Sequence, residues 1–292
     1  MLRFGGVVPA MITPFDKANR FNESAFRELI EANILAGVDG FWLAGGSGES
    51  VLLSDEENER LAVAATDQVS GRVTTIMHIG APTTDRAVTM AEQAAKSGVD
   101  ALCCVPPFFY RVEERAIIEH YKAVGSASAL PLLLYNLPQS TGVDISPELA
   151  CRIRDVVPSV VGLKHSGPIV ENTYGFAAAG FNCFIGYATL MLPGLNMGAV
   201  GCIDGPLTIA PELWVAIWRL VCAQDLAAAQ KAQKRAAEFA TAVYDIGFLD
   251  VLKAGCTMRY QVECGSPRLP QLPLTSDQRK ALEGILHSFD LL

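Results

Sequence analysis

The sequence predicts a closed α/β barrel of the (β/α)8 TIM type with a C-terminal helical extension, and three observations carry that expectation. Apolar, strand-like runs alternate with amphipathic helical segments. The runs are continuously apolar, as parallel strands covered on both faces must be. Eight such runs can be read before residue 205, the number at which a barrel closes. An open doubly wound sheet is the competing fold. It normally carries a glycine-rich phosphate turn after its first strand, and PAMITPF at 9–15 has no GxGxxG.

In order, the predicted strands are VVPAMI (7–12), GFWLA (40–44), VTTIMHI (73–79), ALCCV (101–105), LPLLLYN (130–136), VVGLKH (160–165), NCFIGY (182–187) and AVGCID (199–204). Between them lie helical patterns such as 22–36, 54–69 and 84–97, the second opening with Ser54 and Glu57 in capping-box spacing. AGVDGFWLAG, SGVDALCCVPP and MGAVGCIDG each place a glycine at a helix C-terminus directly ahead of a strand. After residue 205 the strand signal stops. PELWVAIWRLVCAQ, DLAAAQKAQKRAAEFATAVY and TSDQRKALEGILHSF read as helices, with a proline-containing connection, CGSPRLPQLPL, before the last. The predicted organisation is a barrel core over 1–210, then the last barrel helix and a helical extension over 211–292.

Composition bounds the function. With 292 residues, half of them hydrophobic and 18% charged, the chain can bury a large core. A formal charge of -8 and the absence of any basic run argue against a nucleic-acid binder. No apolar stretch approaches the ~18 residues of a membrane span, and MLRFGGVVPAMITPF lacks the features of a secretory leader. Eight cysteines without a CxxC pair read as small buried residues, not a disulfide framework, which fits a reducing cytoplasm. The four histidines form no HxH or HExxH pattern, so a catalytic metal is not expected. Gly46-Ser47-Gly48 is no GxSxG elbow, so a serine hydrolase is not expected either.

Chemistry in a barrel of this type sits at the carboxyl ends of the strands. Lys164, following Val160, Val161, Gly162 and Leu163, is the most informative residue there. Burial can depress a lysine pKa by up to ~3–5 units, enough to free an amine for attack on a carbonyl and formation of a Schiff base. A lysine that merely snorkels from a strand end is the equally weighted alternative. Tyr135 ends the neighbouring strand and would point over the same mouth as a proton shuttle, or else pack as an amphipathic core residue. The loop AGGSGES (44–50) offers backbone N–H groups and the Ser47 hydroxyl to a carboxylate, or is simply a flexible turn.

At these residues the chain resembles the dihydrodipicolinate synthase and N-acetylneuraminate lyase family of class I, Schiff-base-forming barrels. GGSGES at 45–50 resembles the family's G-[ST]-T-G-E loop, YNLP at 135–138 its Y-N-x-P, and VGLK at 161–164 its G-x-K strand. The resemblance implies that Lys164 forms an imine with pyruvate or another 2-oxo acid, with no further cofactor and no metal. It implies that Tyr135 handles protons, and that Gly46, Ser47 and Gly48 form the carboxylate loop. Gly186 and Ile203 match positions whose backbone carbonyls line the pyruvate pocket. A homotetramer in the cytoplasm, acting on a small 2-oxo acid, is implied in the same way.

Departures from the pattern narrow the branch. Family synthases that make dihydrodipicolinate carry Thr, Tyr and Arg in the positions of Gly46, Phe109 and Ser140. Without the arginine no fixed cation meets a second carboxylate on the aldehyde. PPFFYRV (106–112), YNLPQSTG (135–142) and IGY (185–187) are similar to 2-keto-3-deoxygluconate aldolases. The expectation is therefore a lyase that cleaves or makes a 2-keto-3-deoxy sugar acid. A dihydrodipicolinate synthase, a decarboxylating keto-deoxy sugar-acid dehydratase and a non-catalytic keto-acid-binding barrel are the alternatives. His165 and Tyr187 are guesses at specificity, with a packing role equally open.

Overall fold

A computed structural model describes residues 4–292; the first three residues, part of the segment read above for a leader and of the 1–210 core, lie outside the described residues. Eight strands form one sheet: β1 (Gly6–Val7), β2 (Gly40–Leu43), β3 (Thr74–His78), β4 (Ala101–Cys104), β5 (Leu132–Asn136), β6 (Val160–His165), β7 (Asn182–Ile185) and β8 (Gly201–Cys202). Their order is β1-β8-β7-β6-β5-β4-β3-β2, and each neighbouring pair from β1·β8 to β2·β3 is parallel. The seam between β1 and β2 is closed by a parallel bridge from Ala10 to Trp42 and by bonds from Asp39 N to Val7 O and Trp42 N to Pro9 O. The barrel expected from the apolar runs is the fold observed.

The end strands are shorter than the runs that predict them. Pro9 has no N–H to give β2, so pairing on that side of β1 is interrupted there. Pairing nonetheless continues through Val8 N to Cys202 O and Ala10 N to Asp204 O. Close approach at this seam depends on glycine: a Cβ on Gly201 would lie 2.1 Å from Gly6 O. The helix predicted at 54–69 runs Asp55–Val69 with both halves of the Ser54–Glu57 capping box formed. Gly37, Gly98 and Gly198 take φ of +93, +81 and +95°, the left-handed turn that ends a helix and sends the chain into the next strand.

Side chains sort into two apolar layers. Alternate strand residues, including Trp42, Ile76, Cys103, Leu133, Tyr135 and Phe184, fill the barrel interior. The others pack outward against the helices, with Phe41, Leu43, Met77, Leu102, Leu134 and Leu163 in a second cluster. Six of the eight cysteines are buried within these layers. None of the described helices is long and apolar enough to cross a membrane.

Beyond residue 210 the chain forms helices Pro211–Cys222, Leu226–Ile246, Leu249–Tyr260 and Ser276–Ser288. The third has no counterpart in the helical patterns read from the sequence. Leu249 and Val251 through Cys256 are all buried, so no polar face marks the period. This region also serves the barrel mouth, to which the helix at 226–246 brings Tyr244.

Candidate active site

Parallel pairing of β5 and β6 sets Tyr135 directly opposite Lys164. Both side chains are only 4% exposed, and Lys164 Nζ donates to Tyr135 Oη over 3.3 Å. The amine also lies 4.7 Å from the centre of the Tyr135 ring and 5.5 Å from that of Trp42. Among the described residues no carboxylate pairs with it. Snorkelling into solvent is therefore not its geometry: the amine is held inside, against two aromatic faces and one phenol.

A cavity of about 350 Å3 opens over this pair, lined by Gly46, Ser47, Lys164, Ser166, Gly186 and Tyr187 among others. A neighbouring cavity of about 460 Å3 shares Gly46, Tyr135 and Ser140 with it. The loop after β2 presents its glycines for two reasons. A Cβ on Gly48 would lie 2.8 Å from the Ala44 Cα, so only glycine lets the turn close. At Gly46 the nearest atom to such a Cβ is Tyr135 Oη at 3.8 Å, which leaves open space above the phenol.

Within that loop the three predicted carboxylate-binding residues separate in role. The Gly48 N–H donates to Gly45 O and the Glu49 N–H to Gly46 O, closing the turn, and Thr13 Oγ1 donates to Gly48 O. Gly48 is thus engaged in holding the loop. Gly46 and Ser47 line the cavity, and the Ser47 hydroxyl faces Gly205 just beyond β8. Gly186 lines the cavity beside Ser166; a Cβ there would lie 1.9 Å from Ser166 Oγ, so glycine is required for that hydroxyl to reach inward. Ile203 is wholly buried in the barrel interior, its N–H donating to Ile185 O.

The two histidine and tyrosine specificity guesses diverge. His165 is fully occupied: Asn136 Nδ2 approaches its Nδ1 at 3.2 Å and its Nε2 lies 2.8 Å from Ile169 O. With Phe176 edge-on at 5.2 Å, it is a packed structural residue. Tyr187 does line the cavity, with its hydroxyl donating to the carbonyls of Ser166 and Gly167. Across from it, Tyr244 Oη donates to Asp204 Oδ1 over 2.7 Å, and Asp204 Oδ2 accepts from Ala188 N. Burial and the Asp204 carboxylate push both phenols up, so each stays protonated and acts as a donor.

Sequence reasoning passed over three features of this region. Ser166 Oγ is buried in the cavity wall without a hydrogen-bond partner. Glu49, at the end of the loop, meets Lys253 at 2.6 Å in an ion pair with both side chains fully buried. His78 ends β3 beside Tyr135. A serine after the G-x-K strand was visible as a small polar residue at a strand end; the ion pair joins residues about two hundred positions apart and leaves no local signal. Among the described residues no cluster of three His, Cys, Asp or Glu side chains is arranged to hold a metal. Among the described residues, Lys164 is the one Lys or Arg that lines either cavity.

Comparison with known proteins agrees with this geometry. The family model described as the dihydrodipicolinate synthetase family matches residues 3–289. The chain is 30% identical over 272 residues to the Escherichia coli (strain K12) protein named "Probable 2-dehydro-3-deoxy-D-pentonate aldolase YjhH", covering 90% of this chain and 88% of the other. It is 29% identical to the N-acetylneuraminate lyase of Rhizobium meliloti (strain 1021), covering 87% and 85%. The crystal structure of dihydrodipicolinate synthase from Aquifex aeolicus superposes with a TM-score of 0.93 at 25% identity, covering 99% of each chain.

Proposed function

We propose that this chain, which belongs to the dihydrodipicolinate synthetase family, is a class I pyruvate-dependent lyase whose Lys164 forms the imine and whose substrate is a 2-keto-3-deoxy sugar acid. The observation that carries the reading is the buried Lys164–Tyr135 pair under a cavity that, among the described residues, no second cation lines. In the cleavage direction, Lys164 Nζ adds to the C2 ketone and water leaves, giving an iminium. That cation draws in the electron pair of the C3–C4 bond as the C4 hydroxyl loses its proton through Tyr135, and an aldehyde departs. The enamine left on Lys164 takes a proton at C3, and hydrolysis releases pyruvate and the free amine. No cofactor enters, because the imine nitrogen is the electron sink.

Substrate carboxylate binding falls to the Gly46 and Ser47 end of the loop; Gly186 lines the same cavity, and a role for the Ile203 backbone, which lies behind the wall in the barrel interior, rests on the family resemblance alone. The hydroxyls of Ser166 and Tyr187 and the protonated phenol of Tyr244 lie or point along the path of the aldehyde half. A neutral, hydroxylated chain suits those groups. A second carboxylate would face Asp204 and, among the described residues, no guanidinium or ammonium beyond the one that is consumed in the imine. The working form in this proposal is a cytoplasmic homotetramer, which rests on the family resemblance.

Aldol synthesis from pyruvate tests the branch. Supplied with a neutral polyhydroxy aldehyde or with aspartate semialdehyde, the protein is expected to show the higher kcat/KM for the former. A preference for aspartate semialdehyde points to the synthase. Release of carbon dioxide from a keto-deoxy diacid points to the dehydratase, and pyruvate binding without any carbonyl product to a non-catalytic barrel.

A further inference from the structure

His78 is the last residue of β3, on the same alternation as Ile76, and so faces the barrel interior while Met77 faces the helices. Its ring stands edge-on to Tyr135 with centroids 5.9 Å apart, and it lines the larger of the two cavities. It is 2% exposed, and among the described residues neither Nδ1 nor Nε2 makes a hydrogen bond of full geometry, the Ala44 backbone being the one polar group that interacts with the ring. The other two buried histidines are satisfied, His120 by Thr84 and Cys104 and His165 by Asn136 and Ile169. Buried polar groups left unpaired are uncommon and call for a partner. Glycine at position 80 keeps the Nε2 edge clear, since a Cβ there would lie 2.7 Å from that nitrogen.

Burial, opposed by the Ala44 backbone and reinforced by the nearby Lys164, holds the His78 imidazole down at about 4, so it is neutral at ordinary pH. A neutral imidazole offers one donor and one acceptor. Its natural complement is a hydroxyl, which has both, and not a carboxylate, which needs donors alone.

We propose that His78 is a specificity-determining residue that hydrogen-bonds a hydroxyl of the aldehyde half of the substrate, in the cavity between β3 and Tyr135. This rests on the aldolase reading above. The cavity supports it: its wall carries the hydroxyl side chains of Ser50, Ser140 and Thr141, with Glu49 and Gln271, beside apolar surface from Leu52, Val105 and Phe108. The imidazole thus sits within one shared cavity of the phenol that contacts the reactive amine.

The test is a comparison of glyceraldehyde with propanal, its analogue without hydroxyls, as acceptors for pyruvate in the wild type and in His78→Phe and His78→Gln. Phenylalanine keeps a ring against Tyr135 and removes both nitrogens; glutamine restores a donor and an acceptor. His78→Phe is expected to lose roughly tenfold to a hundredfold in kcat/KM for glyceraldehyde, mostly through KM, and under twofold or so for propanal. His78→Gln is expected to regain part of that loss. Equal losses with both aldehydes, or none with either, would overturn the assignment, as would a wild type that does not prefer glyceraldehyde. Borohydride trapping of pyruvate on each protein keeps the two readings separate. Adduct on all three with no aldehyde discrimination sinks only the role of His78, whereas no adduct on the wild type sinks the aldolase reading beneath it.

Discussion

Lys164→Met is expected to leave a folded barrel with no aldol turnover and a thermal midpoint equal to or above that of the wild type. The side chain is enclosed by Tyr135, Trp42 and the barrel interior, with a single hydrogen bond and no carboxylate partner. Holding a polar amine in such a place opposes folding, and an unbranched thioether of similar length fills the same space without that cost. Active sites are where such locally unfavourable groups are retained. Activity depends on the amine absolutely, because no other nucleophile lines the cavity at that position. Circular dichroism with thermal melting, alongside turnover, checks both halves. A variant that melts well below the wild type would show that Lys164 supports the fold; one that still turns over would show that another group attacks the ketone.

A second large effect is expected far from the reactive amine. Lys253→Met should lower stability by about 3–5 kcal/mol, the usual consequence of stranding one member of a buried ion pair. Glu49 has φ of +60°, an uncommon conformation for a residue with a side chain, and its carboxylate accepts from Arg268 N while pairing with Lys253. Lys253 in turn donates to Ser266 O and lies 3.8 Å from the centre of the Phe15 ring. Burial pushes the Lys253 ammonium down and Glu49 opposes that shift, so removing either partner exposes the cost of burying the other. The pair ties the turn carrying Gly46 and Ser47 to the helix at 249–260, and its loss should also raise the KM for pyruvate. Urea unfolding of Lys253→Met, Glu49→Gln and the double variant checks the coupling. The double variant is expected to lose less than the sum of the singles; strict additivity would show that the two side chains act independently.

The eight strands were legible because a strand covered on both faces is written as a short unbroken apolar run, and its boundaries by glycine and loop residues. The end of β1 was the exception, since Pro9 has no N–H to give β2 where the apolar pattern continues, although bonds to the β8 side run on through Val8 and Ala10. Lys164 was legible for the same reason, as a charge inside such a run. What stayed hidden depends on tertiary packing. The helix at 249–260 is enclosed on nearly every side, so its sequence has no amphipathic period, and its lysine reads as an ordinary surface residue until Glu49 is placed against it. His78 reads as one polar residue ending a strand; its place inside the barrel, with neither ring nitrogen in a hydrogen bond of full geometry among the described residues, distinguishes it from His165, which ends its strand facing Phe176. Gly48 belongs to the predicted loop, but the hydrogen bonds of the turn decide that its amide closes the loop while Gly46 and Ser47 face the cavity.

The reactive amine of Lys164 lines the smaller cavity and contacts Tyr135, which lines both. The most direct measurement is reduction of the protein with borohydride in the presence of pyruvate, followed by intact-mass and peptide analysis. One reduced pyruvate adduct per chain is expected, located on the peptide containing Lys164 and lost in Lys164→Met. An adduct on a different lysine, or an unmodified protein that still catalyses the aldol reaction, would contradict the assignment.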